Sequence, residues 1–256
     1  MRKSAGERGS VPSGPAAQFA AARPGLTLAR GAGLLLAMAR SVVLAGTPRC
    51  GHCQFSPRWC ICAGGQALVC PLQIDVLIHH REFNRPTSTG RLINRVIPAS
   101  RGHLFRRENP PDPATIRAPG RELWILHPRG EPLPEGANPD KLQVLLLDGS
   151  WREAGRMSQE VSSWGRLVRL PEAGPGRYHL RTHEHQGKYS TVESLLMLLE
   201  SLGLGEAARQ LRLQFELHVY AGLRTRGAKE KAEAFLASSP IRDAFPELLA
   251  QMHVRR

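Results

Sequence analysis

Four aliphatic residues in a row, Val144, Leu145, Leu146 and Leu147, end abruptly on Asp148-Gly149-Ser150-Trp151. A run that is apolar at every position, not at every second one, reads as a strand buried on both faces, as in a parallel sheet. In open α/β sheets ligands sit just beyond the carboxyl ends of such strands. Asp148 stands at that place, next to a glycine that lets another backbone approach. The competing reading is structural: Asp148 caps the helix that follows, which starts near Ser150 or Trp151.

The rest of the chain agrees with α/β architecture. Residues 73–80 and 122–127 read as further strands, and 166–170 as a short one. Ser88-Thr89-Gly90 opens a short helix over 91–96. The helix after Trp151 carries Ala154, Met157 and Val161 on one face and Arg152 and Arg156 on another. Residues 191–202 form a strongly apolar helix, and helices near 205–220, 229–237 and 241–252 close the chain. Strands alternating with helices imply a mostly parallel sheet flanked by helices. Residues 99–120, rich in Pro, Arg and Gly, read mostly as loop.

Charge narrows the partners. The net charge is +13, and 30 of the 35 basic residues are Arg. Guanidinium forks match phosphate geometry, so the surplus points to a polyanion. GC-rich codon usage yields the same Arg surplus without any partner. The bias survives removal of the N-terminal region: residues 1–49 hold seven basic and one acidic residue, and 50–256 hold 28 basic against 21 acidic. Residues 1–47 read as a basic extension, disordered over about 1–35 on its Pro, Gly and Ala content, with Met38 an alternative start. The apolar stretch 31–46 is broken by Arg40 and too short to span a bilayer. A cytoplasmic protein without membrane association is expected; oligomeric state leaves no trace in the sequence.

Cys50-x-x-Cys53, then Cys60-x-Cys62, puts four thiols in thirteen residues. That spacing suits a tetrahedral structural zinc with no open coordination position. His52 is an alternative ligand. Cys70 reads as a buried spare thiol. The domain plan is therefore a basic extension over 1–47, a zinc knuckle over 48–72 and an α/β catalytic domain over 73–256.

Several polar loops follow the strands. His79-His80-Arg81-Glu82-Phe83-Asn84-Arg85-Pro86-Thr87-Ser88-Thr89-Gly90-Arg91 follows the first, and His127-Pro128-Arg129-Gly130 the second. Tyr178-His179-Leu180-Arg181 leads toward Ser190-Thr191-Val192-Glu193. Each has a structural reading: Ser190 and Glu193 have capping-box spacing, the histidines suit strand ends, the arginines suit a solvated face, and Trp151 suits a core. Their convergence on one sheet edge is what those separate readings explain poorly.

The cysteine cluster, H-x-R-E-x-x-R-P-T-S-T-G-R-L-I, L-D-G-S-W-R-E-A and Y-x-L-R…Y-S-T-V-E-S, in that order over residues 48–225, resemble the DTW-domain family. Two positions depart: Ser150 replaces the namesake threonine and keeps its hydroxyl, and His80 stands where the family usually has proline. The resemblance implies a SPOUT-like fold with a knotted backbone. It also implies transfer of the 3-amino-3-carboxypropyl group from S-adenosylmethionine to uridine N3 in tRNA, releasing 5′-methylthioadenosine. Under that reading Asp148 handles the N3 proton, Trp151 stacks on the flipped base and Ser150 completes the catalytic motif. His127, Pro128, Leu146, Leu147, Ser190, Thr191, Glu193 and Arg81 surround the donor, with Arg81, Arg129 or the amides at Ser190 meeting its carboxylate. Arg85, Arg91, Arg152, Arg156 and Arg181 hold RNA. Alternatives are an rRNA uridine as acceptor, methyl transfer by a SPOUT-type enzyme, and a non-catalytic zinc-stabilised RNA-binding module.

Overall fold

The apolar stretches at 74–78, interrupted only by Asp75, and at 144–147 form the middle of a parallel sheet. In a computed structural model, which describes residues 48–181 and 188–254, the strands are β1 (Gln73–His79), β2 (Arg101–Phe105), β3 (Glu122–Pro132), β4 (Leu142–Asp148) and β5 (Arg166–Arg169). Their order is β2-β1-β4-β3-β5, and every pairing is parallel. The expected basic extension over 1–47 lies outside the described residues.

Helices cover both faces: α1 (His80–Phe83), α2 (Thr89–Val96), α3 (Pro113–Ile116), α4 (Trp151–Val161), α5 (Thr191–Ser201), α6 (Gly205–Thr225), α7 (Lys229–Ala237), α8 (Ile241–Ala244) and α9 (Pro246–Val254). Successive strand residues point to opposite faces, and the two cores follow that alternation. Ile74, Val76, Ile78, Val144, Leu146 and Trp124 pack with α2, α5 and α6. Leu77, Leu123, Ile125 and Leu145 pack with Phe105, Ile116, Met157, Val161 and Trp164 on the α4 side. After edge strand β5 the chain returns to the middle of the sheet, where α5 touches both α2 and β4. Among the described residues no helix is long and apolar enough to cross a membrane.

Residues 99–120 are mostly loop, as expected, but they also hold β2 and α3, which were not expected. The inward positions of β2 are Arg101, His103 and Phe105, and only the last is apolar, which conceals the strand's alternation. Arg101 and His103 reach the fully buried carboxylate of Asp75 on β1. Arg101 donates to it from Nε at 2.8 Å and Nη2 at 3.0 Å, His103 Nε2 lies 2.6 Å away, and Gln143 Nε2 donates at 2.7 Å. The expected helix over 241–252 is two helices, because Pro246 lacks the N–H that a continuous helix needs there. β3 runs five residues beyond its expected end, and its pairing with β5 shifts register between Leu126 and Glu131, so His127, Pro128 and Arg129 sit in an irregular bulge.

Burial opposes ionisation of Asp75, but its hydrogen bonds from His103, Arg101 and Gln143 outweigh that and hold the carboxyl below its usual range. Its stabilising contribution is thus present above the unfolded pKa of about 3.9 and is lost as pH falls through the lower folded value. Asp75→Ala leaves three donors unmet. We expect a loss of about 3 kcal/mol, at the low end for a broken buried pair because the Arg101 side chain is 40% exposed. A fall in Tm of roughly 6–12 °C at neutral pH follows. The deficit should narrow in acid, which thermal denaturation as a function of pH would read.

Candidate functional site

Asp148 ends β4 on the α2 and α5 side of the sheet and is buried. It caps no helix. The cap of α4 is Ser150, whose hydroxyl accepts from the Glu153 N–H at 3.3 Å and donates to Glu153 Oε2 at 2.7 Å, while the Ser150 N–H returns a bond of 2.9 Å to the same carboxylate. The Asp148 carboxylate is instead a clasp on three elements. Oδ2 accepts from Ser88 Oγ at 2.7 Å; Oδ1 accepts from the Gly90 N–H at 3.2 Å and from Thr191 Oγ1 at 2.7 Å. Ser88 is itself the cap of α2. Gly90 permits this approach, because a Cβ there would lie 2.7 Å from Asp148 Cγ.

Beside this clasp lies a second buried acid. Glu82 accepts from Arg85 Nη1 at 2.7 Å and from Arg181 Nη2. Burial pushes its carboxyl up, against the pull of the Arg181 and Arg85 guanidiniums, and Asp148 adds to the rise. The Tyr178 hydroxyl donates to the Thr87 carbonyl at 2.6 Å. Glu193 makes the expected capping box with Ser190 and also accepts from the N–H groups of Arg177 at 2.5 Å and Tyr178 at 3.1 Å. The carboxylate at the start of α5 therefore anchors the 177–178 segment as well as its own helix.

The opposite face of the same edge carries a different group. His79 ends β1 on the α4 side, its Nδ1 accepting from the Arg81 N–H at 3.3 Å and lying 3.5 Å from Glu153 Oε1. Burial lowers the His79 pKa, although Glu153 pulls it the other way, so the neutral ring with Nδ1 as acceptor fits both observations. Burial raises the Glu153 carboxyl, but the two Ser150 bonds, His79 and Arg81 bring it below its ordinary value. His79, His80, Arg81, Arg107, Arg152 and Arg156 are among the residues lining a cleft of about 400 Å³ here. That volume falls within the range of small-ligand sites.

The sequence-read residues thus divide into groups. Asp148 and Thr191 meet directly. Arg85 and Arg181 meet each other through Glu82. Arg81 stands with Glu153, 3.9 Å away, on the cleft side, as do Arg152 and Arg156. Arg129 Nη2 donates to Ser158 of α4 at 3.3 Å, and burial and Arg129 lower the His127 pKa. Leu146 is buried in the core, which leaves only its backbone for a ligand, and Leu147 is half-buried. Trp151 is 43% exposed and is not a core residue. Glu82, Ser88, Gly90, Tyr178 and Glu153 were not singled out individually from the sequence. Gly90, immediately after the capping Ser88-Thr89, was the available signal for a close approach.

The four cysteines meet as expected. Their sulfurs all lie within 4.8 Å of one another, with Cys50 to Cys62 at 3.5 Å and Cys53 to Cys60 at 3.7 Å. These separations are far above a disulfide bond. They approach the edge of about 3.8 Å that a tetrahedron with 2.3 Å zinc–sulfur bonds requires. The backbone N–H groups of Cys53 and His52 hold the Cys50 thiol down to about 6, the arrangement that favours a thiolate ligand. Gln54 takes φ +64° to close the turn, and its side chain donates to the Gly51 carbonyl at 3.0 Å. The donor set fits a structural zinc. His52 is exposed and outside the cluster; Cys70 also lies outside it, half-buried against the core rather than fully buried as expected.

A family model described as the DTW domain matches residues 47–221, a span that includes the cysteine cluster, the Asp148 clasp and the cleft. No solved structure matches the chain at a significant level.

Proposed function

Because the chain belongs to the DTW-domain family, we propose that it transfers the 3-amino-3-carboxypropyl group of S-adenosylmethionine to N3 of a tRNA uridine. The observation that carries this reading is the clasp itself. One carboxylate at the carboxyl edge of a parallel sheet ties α2, β4 and α5 together, where α/β folds bind ligands.

The reaction is a displacement at the donor's γ-methylene. The N3 lone pair forms the new N–C bond as the C–S bond breaks, and its electron pair goes to sulfur, leaving neutral 5′-methylthioadenosine. A sulfonium departs without protonation, so acid catalysis of leaving is not needed. Two tasks remain for the protein: aligning N3 with the methylene rather than the methyl, and taking the imide proton. Asp148 is assigned the proton. A carboxylate offers about four lone-pair sites, and three are engaged by Ser88, Gly90 and Thr191, which fix its orientation and leave one. Trp151, exposed three residues further on, is assigned to stack on the flipped base. The donor is assigned to the strand ends at His127, Pro128, Leu147 and Asp148 and the start of α5 at Ser190 and Thr191. Arg152 and Arg156, with Arg81 and Arg107 in the same cleft, are assigned to RNA phosphates. Ser150 and Glu193 serve this site by holding the helix starts.

The zinc knuckle has no open position and takes no chemical role. A SPOUT-like, knotted path belongs to the same proposal; the strand order and the return from β5 to a helix docked on β4 support it.

Incubation with S-adenosylmethionine and unmodified tRNA, followed by nucleoside mass analysis, tests the reading. The expected products are uridine bearing the aminocarboxypropyl group and an equal amount of methylthioadenosine. A methyl-sized mass increment would replace this reaction with methyl transfer. Modification of rRNA alone would move the acceptor, and tRNA binding without donor consumption would leave an RNA-binding module.

A further inference from the structure

The long helix α6 carries a buried acid that the proposed chemistry does not use. Glu216 is 2% exposed, and the cation it meets, Arg177, lies 39 positions earlier. Arg177 Nη2 donates to Glu216 Oε2 at 3.0 Å, and its Nε stands 2.9 Å from Oε1. The Ser239 hydroxyl donates to the same Oε2 at 2.5 Å, and the guanidinium lies 4.6 Å from the Phe235 ring centroid of α7. Such a pair is a poor device for stability, because desolvating both charges offsets most of their attraction. It is a good device for orientation, because a planar fork meets a carboxylate at two points.

The pair holds one end of a strap, residues 177–181, that α6 grips repeatedly. The Tyr178 ring stacks on Phe215 with centroids 6.3 Å apart, while its hydroxyl reaches the Thr87 carbonyl. Leu180 seats on Gly222, where a Cβ would lie 2.6 Å from Leu180 Cδ1, and its carbonyl accepts from Arg226. Arg181 ends the strap on Glu82.

The strap touches the start of α5 through one carboxylate. Glu193 Oε1 accepts from the N–H groups of Arg177 and Tyr178, and Oε2 accepts from the Ser190 N–H at 2.7 Å. There is no slack at this point: a Cβ on Gly176 would lie 3.0 Å from Oε1. Thr191, the next residue, binds Asp148. If Arg177 moves, Glu193 must follow it or release it, and either change reaches Ser190 and Thr191.

We propose that Glu216 and Arg177 are positioning residues for the donor: their ion pair fixes the strap, the strap fixes Glu193, and Glu193 fixes the Ser190–Thr191 turn that meets S-adenosylmethionine. Neither residue touches the donor. This inference rests on the assignment of the donor to the start of α5, and it gives the C-terminal helices a part in donor affinity.

Calorimetry of S-adenosylmethionine binding to the full zinc-loaded chain, without RNA and well below the melting temperature of every variant, tests it. Glu216→Gln keeps the volume but places an N–H where the fork needs an acceptor, and Arg177→Met removes the fork. Each should weaken the donor about tenfold, a size typical of a network residue that contacts no ligand. The double variant should bind no worse than the weaker single one, since each residue acts through the other. Asp75→Ala, destabilised near the amino end of β1, should bind the donor as the wild type does. Wild-type affinity in both single variants overturns the inference. So do losses that add in the double variant, or an equal loss in Asp75→Ala, which would mark general loosening. Those results leave the transfer reading standing, whereas a wild-type protein that binds no donor removes both.

Discussion

Asp148→Ala is expected to lose transfer by about 10²–10⁴-fold, the usual worth of a positioned proton acceptor, and to lose stability as well. Its side chain is buried, and truncation strands the Ser88 hydroxyl, the Gly90 N–H and the Thr191 hydroxyl. Each unmet buried donor costs about 1–3 kcal/mol. Because both hydroxyls can rotate toward other acceptors, we expect about 3 kcal/mol in total and a Tm lower by roughly 6–12 °C. Alanine alone therefore cannot separate chemistry from clasp. Asparagine can. Its amide fills the same volume, its oxygen still accepts, and the Ser88 hydroxyl can turn to receive the new N–H. Asp148→Asn should thus lose only about 1 kcal/mol while losing transfer nearly as completely as alanine, since an amide does not take the imide proton. Single-turnover rates on tRNA at saturating donor, set beside melting curves, give the comparison. Wild-type rates in Asp148→Asn would reduce Asp148 to a clasp and send the proton elsewhere.

The same residue shows how far the sequence carries. That a carboxylate follows an apolar run is visible at once, and the run did prove to be a central strand. What it clasps was not visible, because Ser88 and Gly90 lie about 60 positions away and Thr191 lies 43 away. Sequence order also places all the polar loops on one edge without saying which face each joins. The faces follow from strand alternation: Asp148 shares a parity with Val144 and Leu146 and joins α2 and α5, whereas His79 shares one with Leu77 and joins α4. Arg81 consequently stands with Glu153 instead of with the clasp, and Arg85 and Arg181 are drawn together by an acid 99 residues from the second of them. β2 was hidden for a related reason. Two of its three inward side chains, Arg101 and His103, are charged or titratable, and the acid at 75 on its neighbour is what they turn inward to meet. Local chemistry was easier to read: the Ser190–Glu193 capping box and the cysteine cluster need residues only a few positions apart, and both formed where their spacing put them, whereas the matching Ser150–Glu153 box at the start of α4 emerged only from the structure.

Stripping the metal should reach well beyond the knuckle. Phe55, Trp59 and Ile61, which lie between or beside the ligands, belong to the core on the α6 side of the sheet. Trp59 packs edge-on to His253 of α9 with the Arg224 guanidinium 4.4 Å from its centroid, and Gln214 of α6 donates to the Gly64 carbonyl at 2.8 Å. Gly64 fits against Leu248 and Leu217 so closely that a Cβ would come within 3.0 Å of both. Burial lowers the pKa of Arg95 on α2, and the charges of Cys53, Cys62 and Cys50 pull it the other way, so Arg95 stands against a cluster that keeps net negative charge even around zinc. Without the ion, thiolates packed 3.5–3.7 Å apart must protonate or separate, and the three core side chains lose their tether. Structural zinc contributes folding free energy directly. Because much of the packing on α6 can persist, we expect an expressed loss of about 3–5 kcal/mol and a Tm lower by about 10 °C. The protein should carry one zinc per chain by metal analysis. Chelation and Cys53→Ser should each release the metal and speed hydrogen exchange over residues 50–64, while β1 and β4 stay protected. Cys70→Ser, outside the cluster, should leave the metal content alone. Retention of a full equivalent of zinc in Cys53→Ser, or chelation without any fall in Tm, would be incompatible with this packing, since the same side chains that close the metal site also fill the core beneath it.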